Sequence, residues 1–227
     1  HSEEHESCSV DSLNWIHGSR AQAARQCPPA ILVFQAISRY RIDMKRFLIL
    51  QLRPEADASD DEYAAILNKC GLTPAQTHRI RVDQGDIPTD LDVTDYAGVI
   101  VGGGPGCVSD PADQKSALDA RIEGQILALM PQITALDHPF MGCCYGLGIL
   151  AHHLGGEVSK AHYGEPVGPS VCSVMPDAAN DPLLDGLASQ FEVFVGHKEA
   201  VQSLPPGTVH LLSSAPCPVQ MIRYGKN

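Results

Sequence analysis

From Met44 onward the chain alternates short, almost wholly apolar runs with longer stretches of amphipathic, helical pattern, and this alternation restricts the fold more than any other feature. Arg46-Phe-Leu-Ile-Leu-Gln-Leu52 and Gly98-Val-Ile-Val101 are of strand length and lack the polar alternation of a strand with one wet face. They read as strands buried on both sides, the mark of a parallel sheet covered by helices. His78 to Val82 and the run from Pro139 to Cys144 read as two further strands of the same sheet. Ser59-Asp-Asp-Glu62 has capping-box spacing and is expected to open a helix that stops at Gly71. Other helices are expected over about Gln114 to Leu129 and Tyr145 to Leu154, the latter ended by Gly155-Gly156. The expected class is α/β, a doubly wound and mostly parallel sheet with helices on both faces. Beyond residue 160, Ser170 to Met175, Phe191 to Val195, His210 to Ser213 and Val219 to Tyr224 read as strands with few helices between them.

A chain of 227 residues can bury a core that needs no metal or disulfide staple. The domain is expected over residues 44–227. Residues 1–43 carry the acidic cluster Glu3, Glu4 and Glu6 and the stretch Cys27-Pro28-Pro29, match no targeting pattern, and are expected to be an extension: a tag, a leader or a disordered segment. A formal charge of -11 with 16 Lys and Arg argues against a nucleic-acid partner, whose backbone demands clustered cations. No run approaches the ~20 apolar residues of a membrane span. The eight cysteines are read as free thiols of a reducing, cytoplasmic setting, without a secretory leader to favour disulfides. His152, His153 and His162 do not have zinc-ligand spacing, and neither a metal nor another cofactor is expected.

Gly142-Cys143-Cys144-Tyr145-Gly146 carries the chemistry. Small residues flank a nucleophile where the backbone is pinched between a strand and a helix, which pushes the central side chain outward. Cys144 is the expected nucleophile, its thiolate favoured by the positive end of the following helix, and Cys143 is expected to turn into the packing. The alternative is two small apolar residues filling space behind a turn. An oxyanion site is expected where strands of such a sheet end together, with the backbone amides of Gly104, in the loop Gly102-Gly103-Gly104-Pro105-Gly106, and Tyr145 as donors. That loop matches neither a phosphate loop nor a dinucleotide fingerprint.

Gly103-Gly104-Pro105, the Gly142-x-Cys144-Tyr145-Gly146 turn, and Leu150-Ala151 with Leu154-Gly155-Gly156 together resemble the class I glutamine amidotransferases, most closely their GMP-synthase-like members. The resemblance implies a flavodoxin-like fold and an enzyme in which a cysteine attacks the glutamine side-chain amide, releases ammonia and leaves a γ-glutamyl thioester for water. It implies Gly103, Gly146, His197 and Lys198 as substrate-binding residues, the latter two in Gly196-His197-Lys198-Glu199, with a packed or surface histidine as the alternative for His197. Glutamine or a related γ-glutamyl compound is the implied substrate, and a separate synthase subunit the implied acceptor of ammonia. The sequence departs from the family at Gly148, where a substrate-holding glutamine is usual, and in having no His-Pro-Glu motif, which is read as truncation.

Two other readings remain at this level: a catalytically silent binding or regulatory module, and a cysteine hydrolase acting on another γ-glutamyl or ester substrate. Asp181, Asp185, Glu192 and Glu199 are read as solvated charge. Glu165 is read either as an exposed loop carboxylate or as part of the pocket edge.

Overall fold

Leu48, Ile49 and Leu50 are completely buried in a four-stranded parallel sheet, as the apolar runs require. In a computed structural model that describes residues 45–226, strands β1 (Phe47–Gln51), β2 (Thr77–Arg81), β3 (Gly98–Val101) and β4 (Phe140–Gly142) lie in the order β2-β1-β3-β4. The extension expected over residues 1–43 lies outside the described residues. Phe47 stands opposite Thr77 on one side and Gly98 on the other, and Val99 stands opposite Phe140.

Alternate side chains of the central strands go to opposite faces. Leu48, Leu50, Val99 and Val101 pack with Ile122, Ile126, Met130 and Ile133 of α2 (Ala117–Ala135) and Tyr145, Ile149 and Leu150 of α3 (Tyr145–His153). Ile49 and Ile100 pack on the other face with Ile66 of α1 (Ala56–Cys70). Each such fully buried aliphatic side chain contributes roughly 1.5–3 kcal/mol. The sheet is therefore doubly wound, of flavodoxin-like α/β class.

Two helix starts differ from expectation. α1 begins at Ala56, so Ser59 lies inside its first turn and is fully buried. Its carbonyl accepts from Gln51 Nε2 at 2.6 Å and its hydroxyl from Arg79 Nη2 at 3.2 Å. Capping-box spacing here serves tertiary ties instead of a helix end. α2 begins after Ser116, whose hydroxyl oxygen accepts from the Asp119 amide at 3.0 Å. It runs through Pro131 to Ala135 because Met130 and Ile133, on either side of the proline, are anchored in the core. Gly71 ends α1 in the left-handed conformation, as expected.

The second half of the chain forms β5 (Glu157–Ser159), β6 (Glu165–Val174), β7 (Gln190–His197), β8 (Ala200–Ser203), β9 (Val209–Ser214) and β10 (Met221–Arg223). β5 pairs with β8, and the other four form a separate antiparallel sheet in the order β10-β9-β6-β7. Exposed and half-buried residues alternate along most of β7, as expected of an antiparallel strand with one wet face. Among the described residues no helix is long and apolar enough to cross a membrane. A face of β6 and β7 meets the C-terminal ends of β1, β3 and β4, and the cavity lies between them.

Candidate active site

β4 ends at Gly142, and the Cys143 amide still donates to the Val101 carbonyl at 2.9 Å before the chain turns abruptly. Cys144 stands at the cap of α3 with φ 51° and ψ -99°. A side chain held there stores about 1–3 kcal/mol of strain, which the surrounding packing must impose. The turn is closed by Gly146 N donating to Cys143 O at 2.9 Å and Gly148 N to Cys144 O at 3.1 Å. It needs glycine at its base: a Cβ on Gly142 would stand 2.5 Å from the Gly146 carbonyl carbon. The pinch exposes Cys144, as the motif predicts. Cys143 is half-buried, and burial, with the Glu62 carboxylate adding to it, pushes its thiol up to about 11.

The electrostatics of Cys144 set the expected pull of the helix start against a larger opposing effect. The removal of water by the cavity walls pushes its thiol up. The Arg53 guanidinium and the Tyr145 backbone N–H work against this, while Glu199 and Glu62 reinforce it. The net direction is upward, so the start of α3 does not by itself make a resident thiolate. Arg53 is the cation that favours the ionised form. Arg53→Met is expected to move the pH profile of Cys144 alkylation by iodoacetamide to higher pH, and to slow alkylation at neutral pH roughly two- to fivefold. Peptide-resolved mass spectrometry reads that rate directly.

Cys144 opens into a cavity of about 710 Å³. Gly104, Tyr145, His197 and Lys198, all expected from the sequence, line it. Gly104 lies against the Tyr145 ring, since a Cβ on it would be 3.2 Å from Tyr145 Cδ1. The Tyr145 hydroxyl donates to Glu123 Oε2 at 2.8 Å, which ties the first residue of α3 to α2. Gly104 and Tyr145, the two candidate oxyanion donors, thus line the same cavity as Cys144. Gly103 and Gly146 do not line the cavity, contrary to expectation. The Gly103 amide donates to Glu62 Oε1 at 2.9 Å, and a Cβ on Gly146 would meet the Val101 carbonyl at 2.8 Å, so both shape the backbone behind the site.

His197 is held at both ring nitrogens. Nδ1 faces the Glu199 carbonyl oxygen and Nε2 faces Glu165 Oε2, each at 3.0 Å. Both ring nitrogens are engaged within the chain, which suits a positioning group and not a base for Cys144. Glu165 is buried, against the reading of an exposed carboxylate, and also accepts from Ser170 Oγ at 3.2 Å and Gln220 Nε2 at 2.5 Å. Glu165, His197 and Cys217 bring three potential ligand atoms within 4.8 Å, but each is engaged in hydrogen bonds within the chain. Glu199, read as solvated charge, lines the cavity, and Asp181 is buried with Arg223 Nε at 2.8 Å. Arg53 carries no local sequence signal, whereas Glu165, read in one alternative as part of the pocket edge, and Glu199, two residues past His197, are tied to the site only by the family resemblance.

The family model for class-I glutamine amidotransferases matches residues 57–227. The glutamine-hydrolysing GMP synthase of Thermomicrobium roseum is 34% identical over 121 residues, which is 53% of this chain and 20% of that protein. The corresponding enzyme of Geobacillus kaustophilus is 33% identical over 142 residues, 63% of this chain and 23% of that protein. The aligned region thus spans about a fifth of the length of these curated relatives. A glutamine amidotransferase from Methylobacillus flagellatus superposes with a TM-score of 0.61 at 24% identity, covering 80% of this chain and 66% of that one. Another, from Thermotoga maritima, gives 0.64 at 19% identity, covering 82% and 74%. These two structures bear on the fold, and the family match over residues 57–227 shows the family: the chain belongs to the class I glutamine amidotransferases.

Proposed function

We propose that this chain performs the glutaminase step of a glutamine amidotransferase. The Cys144 sulfur attacks the side-chain amide carbon of glutamine or a related γ-glutamyl amide. The oxyanion is held by the Gly104 and Tyr145 amides, the C–N bond breaks as the nitrogen takes a proton and leaves as ammonia, and water then hydrolyses the γ-glutamyl thioester to glutamate. The observation that carries this reading is Cys144 itself, exposed at φ 51° in the lining of a cavity with ample room for an amino acid. The names of the curated relatives support a synthase as acceptor of the ammonia, whether joined to this chain or a separate partner, in the reducing, cytoplasmic setting that free thiols favour.

A raised thiol and an imidazole committed at both nitrogens also favour a second reading, a silent module that keeps the pocket without turnover. Amide turnover needs a proton acceptor beyond His197. The test therefore reads bond formation at sulfur instead of turnover. A chloroketone analogue of L-glutamine, whose chloride the sulfur displaces to leave a thioether, is expected to label Cys144 selectively among the thiols and to be blocked by excess glutamine. Cys144→Ala is expected to lose the label. Labelling spread over other cysteines without glutamine protection favours the silent module.

A further inference from the structure

Gly148 lies one helical turn beyond Cys144 on α3 and lines the same cavity. The space a side chain would take there is filled from across the pocket: a Cβ on Gly148 would be 2.9 Å from Glu199 Oε1. Glu199 is fixed in that place. Its carboxylate accepts from the Val108 amide at 2.9 Å, the Ser109 amide at 3.0 Å and the Ser109 hydroxyl at 2.7 Å, and its own carbonyl oxygen is held by His197 Nδ1. Three donors leave a carboxylate with lone-pair capacity to spare, facing the cavity. Lys198, beside it, also lines the cavity, and among the described residues no ion pair engages it.

The separation fits one class of ligand. Four residues of helix advance roughly 6 Å. The reacting carbon and the α-nitrogen of a γ-glutamyl amide are four bonds, roughly 5 Å, apart when extended. With the amide carbon at Cys144, the α-nitrogen reaches the carboxylate above Gly148.

We propose that Glu199 is a specificity-determining residue that binds the α-ammonium group of the substrate, so that the site takes γ-glutamyl amides with a free amino group and rejects Nα-acylated ones. This rests on the reading of Cys144 as a nucleophile toward γ-glutamyl amides. Gly148 permits it, because any side chain there displaces the carboxylate. An acylated nitrogen brings no charge to a fixed anion and adds bulk against it, so the penalty falls on binding and not on sulfur reactivity.

The test compares L-glutamine with Nα-acetyl-L-glutamine as protectors of Cys144 against the chloroketone analogue. In the unmodified chain, glutamine is expected to protect at a concentration roughly tenfold or more below that of the acetylated compound. In Glu199→Gln, and independently in Gly148→Ala, the preference is expected to fall to about twofold or less. Each protein's protection is normalised to its own unprotected labelling rate, since removing the Glu199 charge also makes the thiol easier to ionise. Equal protection of the unmodified chain by the two compounds overturns the assignment, as does a preference that survives in both variants. If neither compound protects while Cys144 still reacts with iodoacetamide, the glutamine reading fails first and the assignment falls with it.

Discussion

Gly142→Ala is expected to destabilise the protein by about 3 kcal/mol and to lower its unfolding temperature by roughly 6–12 °C. The new methyl group would stand 2.5 Å from the Gly146 carbonyl carbon, 2.6 Å from its oxygen and 2.9 Å from the Leu147 nitrogen. These are backbone atoms of the first turn of α3, so no side chain can swing away to relieve the overlap. α3 is in turn anchored by Ile149, Leu150 and Tyr145 in the main core and cannot retreat without opening it. The alanine gains back only about 0.4–1 kcal/mol by restricting the unfolded chain. The informative control is Gly124→Ala on the exposed side of α2, where a Cβ meets nothing within 4 Å. That substitution is expected to stabilise by about 0.5–1 kcal/mol, because alanine suits a helix interior better than glycine. Thermal unfolding of the two variants, followed by circular dichroism, gives opposite signs if the elbow is as tightly closed as the geometry requires. A Gly142→Ala protein as stable as the parent would mean that the turn relaxes freely and that Cys144 is not held in its strained conformation.

The parts of the molecule legible in the sequence are those built from local pattern. The apolar runs of β1 and β3 declared buried strands, Gly71 declared a helix end, and the glycines around Cys144 declared a pinched turn, because each signal lies within a few residues of its consequence. What escaped is held by partners far apart in the chain. Glu62 reaches the Gly103 amide across 41 residues, Glu165 meets His197 across 32, Glu199 meets Ser109 across 90, and Asp181 meets Arg223 across 42. An isolated acidic residue in a sequence reads as solvated because most are, and only the fold reveals which ones face a donor. Ser59 and Glu62 show the same limit from the other side: their spacing fits a local cap, but the fold spends both on long-range ties. The thiol of Cys144 could not be judged from its place at a helix start either. Its ionisation depends on Arg53, Glu62 and Glu199, which arrive from three different segments.

Glu165→Ala is expected to cost about 3–4 kcal/mol and to abolish glutamine protection of Cys144, whereas Glu165→Gln is expected to cost about 1–2 kcal/mol. The carboxylate is buried and faces three polar groups, accepting from Gln220 Nε2 and Ser170 Oγ and meeting His197 Nε2. Truncation to alanine leaves those groups in a wall largely closed to water, and each polar group left unsatisfied there costs about 1–3 kcal/mol, less where the side chain can turn to solvent. Glutamine keeps the shape and one acceptor oxygen, enough to receive one or two of the three. The functional loss follows from the order of the contacts. Glu165 fixes the His197 ring, His197 Nδ1 fixes the Glu199 carbonyl, and Gly196, next in the same strand, offers its carbonyl to the Cys144 sulfur at 3.7 Å. With the first link gone, the cavity wall opposite the nucleophile loses its register even though Cys144 and its elbow, on the other sheet, remain. Urea unfolding midpoints test the ranking, and the chloroketone assay tests its consequence. An alanine variant that keeps full glutamine protection would show that His197 and Glu199 are positioned by backbone pairing between β6 and β7 alone, and that the buried carboxylate serves stability without serving the site.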